Sequence, residues 1–92
     1  MKIIIRAYGD IKHILGDKST VELDDGAKIR DLILKLGGKV KSSRSAFLGG
    51  YKLEDSALVV LVNGRNIHAL DDIDTVLKEG DIITFMPVLV GG

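Results

Sequence analysis

The sequence has no cysteine, a single proline and few aromatic residues, and these shortages exclude several kinds of structure and chemistry. Without cysteine there can be no disulfide, no thiolate zinc site and no thiol nucleophile. Aromatic residues are 4% of the chain and apolar residues 46%, so we expect a core of aliphatic side chains. A chain of 92 residues suffices for one small domain, in which a deep internal active site is not expected.

An excess of charge of one sign and a long apolar run are also missing. Lysine plus arginine number 13 and aspartate plus glutamate number 13, a balance that argues against a dedicated nucleic-acid or anionic-membrane binder. The start MKIIIRAYGD is too weakly apolar for a signal peptide, and no stretch approaches the roughly 18–20 residues of a membrane span. We therefore expect a soluble cytoplasmic protein.

The clearest element is an amphipathic helix over residues 28–36. Apolar residues recur there at the i, i+3, i+4 and i+7 spacing of one helix face: Ile29, Leu32, Ile33 and Leu36. Gly37 follows them as a helix stop signal. This face is predicted to pack on strands of a sheet. Before the helix, residues 2–8 (KIIIRAY) and 19–23 (STVEL) are predicted strands paired with each other. Residues 9–16 between them are predicted to form one or two helical turns, with Ile11, Ile14 and Leu15 on one side.

The second half begins with residues 37–56, which are rich in glycine, serine and lysine and are predicted to form a long loop with at most one helical turn. The aliphatic run Leu58–Val62 predicts a strand buried on both faces, and Asn63-Gly64 predicts a tight hairpin turn. A short helical turn near residues 74–77 and a turn at 78–81 should precede a last strand at 82–86, where Pro87 should end regular pairing. The fold class is α+β, with one helix across one face of a mixed sheet.

Conventional catalytic and metal-binding patterns are absent from this sequence. His13 and His68 are not at metal-ligand spacing with each other, and the aspartates at 71, 72 and 74 are typical of turns and helix caps. The serines at 42, 43 and 45 have no evident base partner, and the glycine pairs lack a phosphate-loop context. We therefore predict no metal site, no stably bound cofactor and no catalysis by the chain alone.

The C-terminal Gly91-Gly92 is the remaining candidate for chemistry. A carboxylate is a poor electrophile, but conversion to an acyl-adenylate by a partner enzyme makes it reactive towards sulfur or an amine. Glycines let the backbone approach a nucleotide without a Cβ clash. Apolar residues before them can dock as an extended peptide, so we assign partner binding to Phe85, Met86, Pro87, Val88, Leu89 and Val90. Residues 1–87 would form the domain and residues 88–92 a flexible tail.

Several stretches resemble the ubiquitin-like sulfur-carrier family (MoaD/ThiS), whose fold is the β-grasp. The similar segments are the first strand and short helix to Gly16, the helix entry at residues 25–32, Val62-Asn63-Gly64, residues 80–87 and the diglycine. The resemblance is strongest to small subunits of molybdopterin synthase. It implies that an E1-like adenylyltransferase uses ATP to activate Gly92 and that a thiocarboxylate then passes sulfur to a cofactor precursor held by the synthase large subunit.

Departures from the family pattern leave other branches open. The ending is Pro87-Val88-Leu89-Val90 where two prolines and a small residue are usual, and Lys28 stands where the helix cap is usually Thr or Ser. The runner-up is a ubiquitin-like modifier joined through Gly92 to lysines of target proteins. A sulfur carrier for thiamine synthesis or tRNA thiolation is a third possibility, and a binding module with an idle tail is a fourth.

Overall fold

The computed structural model describes residues 1–42, 45–53 and 57–88. Its main sheet has five strands in the order β2-β1-β8-β6-β7. The strands are β1 (Lys2–Ala7), β2 (Lys18–Glu22), β6 (Leu58–Val62), β7 (Arg65–Asn66) and β8 (Ile82–Pro87). The pairing of β1 with β8 is parallel and the other pairings are antiparallel, so the sheet is mixed as predicted. This arrangement confirms the predicted α+β, β-grasp architecture.

Helix α2 (Ile29–Lys35) lies across one face of the main sheet and forms the core with it. The residues that alternate inward from β1 and β8 are fully buried together with the helix face: Ile3, Ile5, Ile29, Leu32, Ile33, Ile83 and Phe85. Leu36 is partly buried against this cluster, as the helical spacing indicated. Lys28 is the N-cap of this helix, and its backbone N–H donates to Asp31 Oδ2 at 2.8 Å, so the Asp at the third helical position makes its half of a capping box.

Residues 9–15 form a 3-10 turn, Gly9–Ile11, followed by the short helix α1 (Lys12–Leu15). This agrees with the predicted one or two helical turns. Ile11 is fully buried, but Ile14 is 59% exposed, so the prediction that Ile14 shares its buried side was wrong. A helix of four residues has too few turns to keep its whole apolar stripe against the sheet.

The predicted long loop at 37–56 is corrected by the structure. Its described part forms a three-stranded antiparallel sheet in the order β3-β4-β5, from β3 (Lys39–Ser42), β4 (Ser45–Leu48) and β5 (Tyr51–Lys52). Ala46 and Leu48 of β4 are buried while Phe47 between them is half-buried, which is the alternation of a strand. Short strands rich in Ser, Gly and Lys gave too little apolar signal for the alternation to stand out.

A close approach of backbones connects α2 to this small sheet. Gly37 N–H donates to the Leu34 carbonyl and Gly38 N–H to the Ile33 carbonyl, which is the Schellman ending of a helix. A Cβ on Gly38 would lie 2.4 Å from the Phe47 carbonyl oxygen, so only glycine fits there. The glycine pair therefore turns the chain from the helix straight into β3.

The remaining elements agree with the predictions from the sequence, apart from two corrections. The Asn63-Gly64 hairpin is present, with positive φ at both residues. Strand β6 buries Leu58, Val60 and Val62 on one face only; Val59 and Leu61 are half-buried, because α2 covers one side of the sheet. The helical turn expected near 74–77 is instead a 3-10 turn at Asp72–Asp74.

Candidate functional site

The approach to the C-terminus runs along β8, in the centre of the main sheet. Met86 is 38% exposed and Val88 is 43% exposed, so both side chains are accessible, and their assignment to partner binding stays a prediction. Phe85 is fully buried, and its assignment to partner binding was wrong, because odd-numbered residues of β8 point to α2. The predicted site residues Leu89, Val90, Gly91 and Gly92 lie outside the described residues, and the predictions about them stay predictions.

Strand pairing of β8 was predicted to end at Pro87, but it continues through Pro87 to Val88. Leu58 pairs with Pro87, and Val88 N–H donates to the Ala57 carbonyl at 3.0 Å. Asn63 N–H also donates to the Ile82 carbonyl, so the backbone groups of even-numbered residues in β8 face β6. The backbone nitrogen of Pro87, an odd-numbered residue, therefore faces the opposite neighbour, β1. Strand β1 has ended there at Ala7, and the missing N–H of Pro87 costs no ladder bond.

Pro87 is held in place by the turn that follows β1. Gly9 has a φ of +65°, and a Cβ built on it would lie 3.3 Å from Pro87 Cγ and Cδ. Tyr8 N–H also donates to the Phe85 carbonyl at 3.0 Å. The end of the last strand is therefore fixed on both sides, by β6 and by the Tyr8–Gly9 turn.

We call the side of the main sheet turned away from α2 the open face. Its side chains come from the half-buried or exposed positions of the three central strands: Ile4, Arg6, Tyr8, Val59, Leu61, Ile82, Thr84, Met86 and Val88. Tyr8 is 44% exposed, and the Arg6 guanidinium carbon lies 5.9 Å from the centre of its ring. The open face thus presents an apolar surface beside the strand that leads to the C-terminus, with Arg6 and Lys2 of β1 and Lys18 of β2, the pairing partner of Arg6, as cations on its β1–β2 side.

Most of the open face does not follow from the sequence. The predicted docking residues are consecutive, at positions 85–90, whereas in the structure Arg6 of β1, Tyr8 directly after it and Val59 of β6 lie on the same face as Met86. The sequence signal for this face is the period of two in β1, in which Ile3 and Ile5 are buried while Ile4 and Arg6 are not. Strand order is needed to see that these side chains adjoin Met86, whose pairing partner is Val59.

Titratable groups elsewhere form pairs, each between residues of neighbouring turns or elements. His68 Nδ1 lies 2.7 Å from Asp72 Oδ1, and Asp74 accepts from the Arg30 guanidinium at 2.8 Å. Tyr51 donates a short hydrogen bond to Asp10, and this bond, with a smaller effect of desolvation, raises the pKa of Tyr51. In residues 1–42, 45–53 and 57–88, no group of three or more His, Cys, Asp or Glu side chains could hold a metal ion.

The described part of the chain contains no helix that is both long and apolar enough to cross a membrane. Its longest helix, α2, has seven residues.

Comparison with known proteins relates this geometry to characterised families. The model of the ThiS family matches residues 5–92. Small archaeal modifier protein 3 of Haloferax volcanii is 29% identical over 97 aligned residues, which cover all of both chains. The structure of a putative molybdopterin converting factor, subunit 1, from Pyrococcus furiosus has a TM-score of 0.69 at 25% identity, over 97% of this chain and 99% of that one.

A further solved structure is a protein–protein complex of subunits 1 and 2 of the molybdopterin-converting factor from Helicobacter pylori. It aligns with a TM-score of 0.55 at 22% identity over the whole of both chains, and at this identity it supports the fold alone. The family match covers α2, the C-terminal residues and the main sheet from the second half of β1 onwards. The chain therefore belongs to the ThiS family, the ubiquitin-like β-grasp family of sulfur carriers and modifiers that its motifs resemble.

Proposed function

We propose that this protein is a sulfur carrier in molybdopterin synthesis and that the carboxyl group of Gly92 is its working group. The observation that carries the proposal is the placement of β8. This strand pairs with β1 as far as Phe85 and with β6 as far as Pro87, and Val88 N–H donates to the Ala57 carbonyl, so the chain is fixed beside an exposed apolar face up to the residue before the predicted docking segment Leu89-Val90 and the diglycine. A rigid strand followed by a diglycine suits a group that must reach into the active site of another protein.

The chemistry of activation takes place in the partner. A carboxylate oxygen of Gly92 attacks the α-phosphorus of ATP, and pyrophosphate leaves. A sulfur nucleophile then attacks the carbonyl carbon, and AMP leaves with the bonding electrons. This chain contributes the carboxyl group and its presentation, while an E1-like enzyme contributes ATP binding and the sulfur transfer.

The open face would supply recognition by that enzyme and by the sulfur acceptor. Tyr8, Met86 and Val88 are each more than a third exposed, and they surround the point where the tail begins. Aromatic and methionine side chains are enriched at protein interfaces, and Arg6 adds a charge that can set orientation. Docking on this surface would hold the tail in register in the active site.

The choice of acceptor is supported by the solved relatives. The Pyrococcus furiosus protein is described as a putative molybdopterin converting factor subunit 1, and the Helicobacter pylori subunit 1 forms a complex with subunit 2. We therefore propose a large synthase subunit as the acceptor that receives sulfur from Gly92.

A second function, ubiquitin-like modification, is favoured by a separate observation. A small archaeal modifier protein from Haloferax volcanii aligns with the whole chain. The same acyl-adenylate would then react with a lysine amine of a target protein, so that an amide forms in place of a thiocarboxylate. The two functions share the activation step and differ in the nucleophile.

ATP–pyrophosphate exchange with an E1-like enzyme from the same host tests the shared step. Deletion of Gly92, or addition of one residue after it, should abolish exchange while the unfolding curve stays unchanged. Normal exchange by the deletion variant would refute the central role of the terminal carboxyl. Intact mass of the protein isolated from its host then separates the branches: replacement of one oxygen by sulfur supports the carrier, whereas adducts of protein size support the modifier.

A further inference from the structure

Positive charge in this chain is concentrated in one segment. Residues 32–53 contain five basic residues and no Asp or Glu: Lys35, Lys39, Lys41, Arg44 and Lys52. The chain has 13 basic and 13 acidic residues, so the remaining residues carry 8 basic against 13 acidic side chains. A neutral protein is thus divided into a basic lobe, residues 32–53, and an acidic remainder. Such asymmetry indicates a surface for an oppositely charged partner.

The basic lobe contains a groove of about 370 Å³. It is lined by the Gly37-Gly38 end of α2, by Lys39 and Lys41 of β3, by Phe47 and Leu48 of β4, and by the turn Gly49–Gly50. The ion pairs found among the described residues involve neither of these lysines. Neither lysine is therefore neutralised by a carboxylate of the described residues, although Lys41 lies over the Phe47 ring.

The groove also has an apolar border. Ile14 of α1 is 59% exposed, and its Cδ1 lies 3.0 Å from the place where a Cβ of Gly49 would be. A bulkier residue at position 49 would contact Ile14 directly. Ile14 therefore provides exposed apolar surface next to Gly49, whose turn lines the groove.

Strand β3 is an edge of the small sheet, and no strand of the described residues pairs with its outer side. An edge strand can accept an extended peptide as a further strand. The register of β3 against β4 shifts between Val40 and Ser42, so regular alternation does not extend through Lys41, but Lys39 and Lys41 both line the groove. Acidic residues two positions apart in an added strand would meet both ammonium groups.

We propose that the β3 edge and its groove bind an acidic, extended segment of a partner protein by strand addition, at a site separate from the open face. Main-chain hydrogen bonds to β3 supply affinity, and carboxylates opposite Lys39 and Lys41 supply selectivity. An apolar side chain of the segment occupies the groove beside Phe47 and the Gly49–Gly50 turn. This proposal is independent of the fate of Gly92.

The observations favour a peptide over a single-stranded nucleic acid. Nucleic-acid grooves of this size use free aromatic faces on which bases stack. Here Lys41 Nζ already lies 5.4 Å from the centre of the Phe47 ring, so the cation occupies the face that a base would need. An edge strand beside two lysines matches an acidic peptide more closely.

The test is an NMR titration of the ¹⁵N-labelled full chain with a capped hexapeptide of alternating Glu and Val. We expect chemical-shift changes confined to Lys39–Lys41, Phe47–Gly50 and Ile14, and weaker binding as salt is raised. A Lys/Val hexapeptide should not bind. Equal binding by a Glu/Pro hexapeptide, which keeps the charge but cannot form a strand, would refute strand addition.

Matched charge reversals sharpen the result. The double variant Lys39→Glu/Lys41→Glu should bind the Glu/Val peptide at least about tenfold more weakly. The control Lys18→Glu/Lys78→Glu changes net charge equally at exposed positions outside the groove, and it should lose less than about twofold. An equal loss in both variants would refute the site. So would shifts at these residues with oligo(dT) but not with the peptide, or a salt-sensitive dimer of the free protein formed through β3.

Discussion

Replacing Leu32 by alanine tests how much of the stability depends on the helix–sheet layer. Leu32 is fully buried between α2 and the main sheet, and its surroundings include Ile5 and Phe85, which are also fully buried. Truncation of a buried leucine to alanine costs about 2–5 kcal/mol, and more where neighbours cannot collapse into the cavity. Since one helix on a hydrogen-bonded sheet has little freedom to close the gap, we expect about 3–5 kcal/mol.

That loss is large for a domain of this length. A chain of 92 residues has a free energy of unfolding of roughly 5–14 kcal/mol, from the usual value per residue. For small domains each kcal/mol corresponds to about 4–8 °C in melting temperature, so Leu32→Ala should lower it by at least about 12 °C. Urea unfolding followed by circular dichroism, with thermal melts, measures both quantities.

Leu34→Ala is the matched control, because Leu34 lies on the same helix and is 53% exposed. The same chemical change should cost no more than about 0.5 kcal/mol there, since exposed substitutions leave no cavity. Equal losses at the two positions would refute the assignment of the buried helix face, and with it the core described above.

Three further substitutions test other parts of the structure. Gly9→Ala should lower the free energy of unfolding by more than Gly50→Ala does, because both glycines have positive φ but only a Cβ at Gly9 would meet a neighbour, the Pro87 ring at 3.3 Å. Urea unfolding curves of the two variants measure the difference, and equal losses would contradict the Pro87 contact. Asp10→Asn should lower the pKa of Tyr51 towards its ordinary value in an NMR titration of the ring, since the hydrogen bond to Asp10 raises that pKa, and an unchanged Tyr51 titration would exclude the bond. Because the pKa of Tyr51 is higher in the folded than in the unfolded state, the contribution of the bond to stability is present below about pH 10 and is lost as the pH rises through the folded pKa. Met86→Asp should weaken binding to the activating enzyme about tenfold or more while the variant remains folded, because a carboxylate would be desolvated in an apolar contact, and calorimetric titration that shows wild-type affinity would remove Met86 from the docking surface.

Local patterns were sufficient for the elements of the main sheet. The spacing of Ile29, Leu32 and Ile33 predicts the helix and its buried face, since a 3.6-residue period leaves one solution for which side chains share a side. Asn63-Gly64 predicts its turn because few other residue pairs adopt two successive positive φ angles at low cost. These signals depend on neighbours within a few residues, and the sequence by itself contains them.

The small sheet could not be predicted in this way. Strands β3, β4 and β5 have four, four and two residues, too few for a period of two to stand out from a segment rich in glycine and serine. Its position depends on the contact between Gly38 and the Phe47 carbonyl, nine residues apart, and on the bond from Tyr51 to Asp10. Only folding brings these residues together.

Some features of the candidate site can also be predicted from the sequence, whereas others depend on the tertiary structure. The diglycine and the apolar residues before it are visible in the sequence, and so was their proposed chemistry. The alternation of β8 also predicted that Phe85 faces the helix, whereas tertiary structure decided that Tyr8 and Arg6 adjoin Met86 and that Pro87 is tolerated because β1 ends beside it. These facts follow from the parallel pairing of the first strand with the last, across some eighty residues of chain, and no local pattern encodes a contact at that separation.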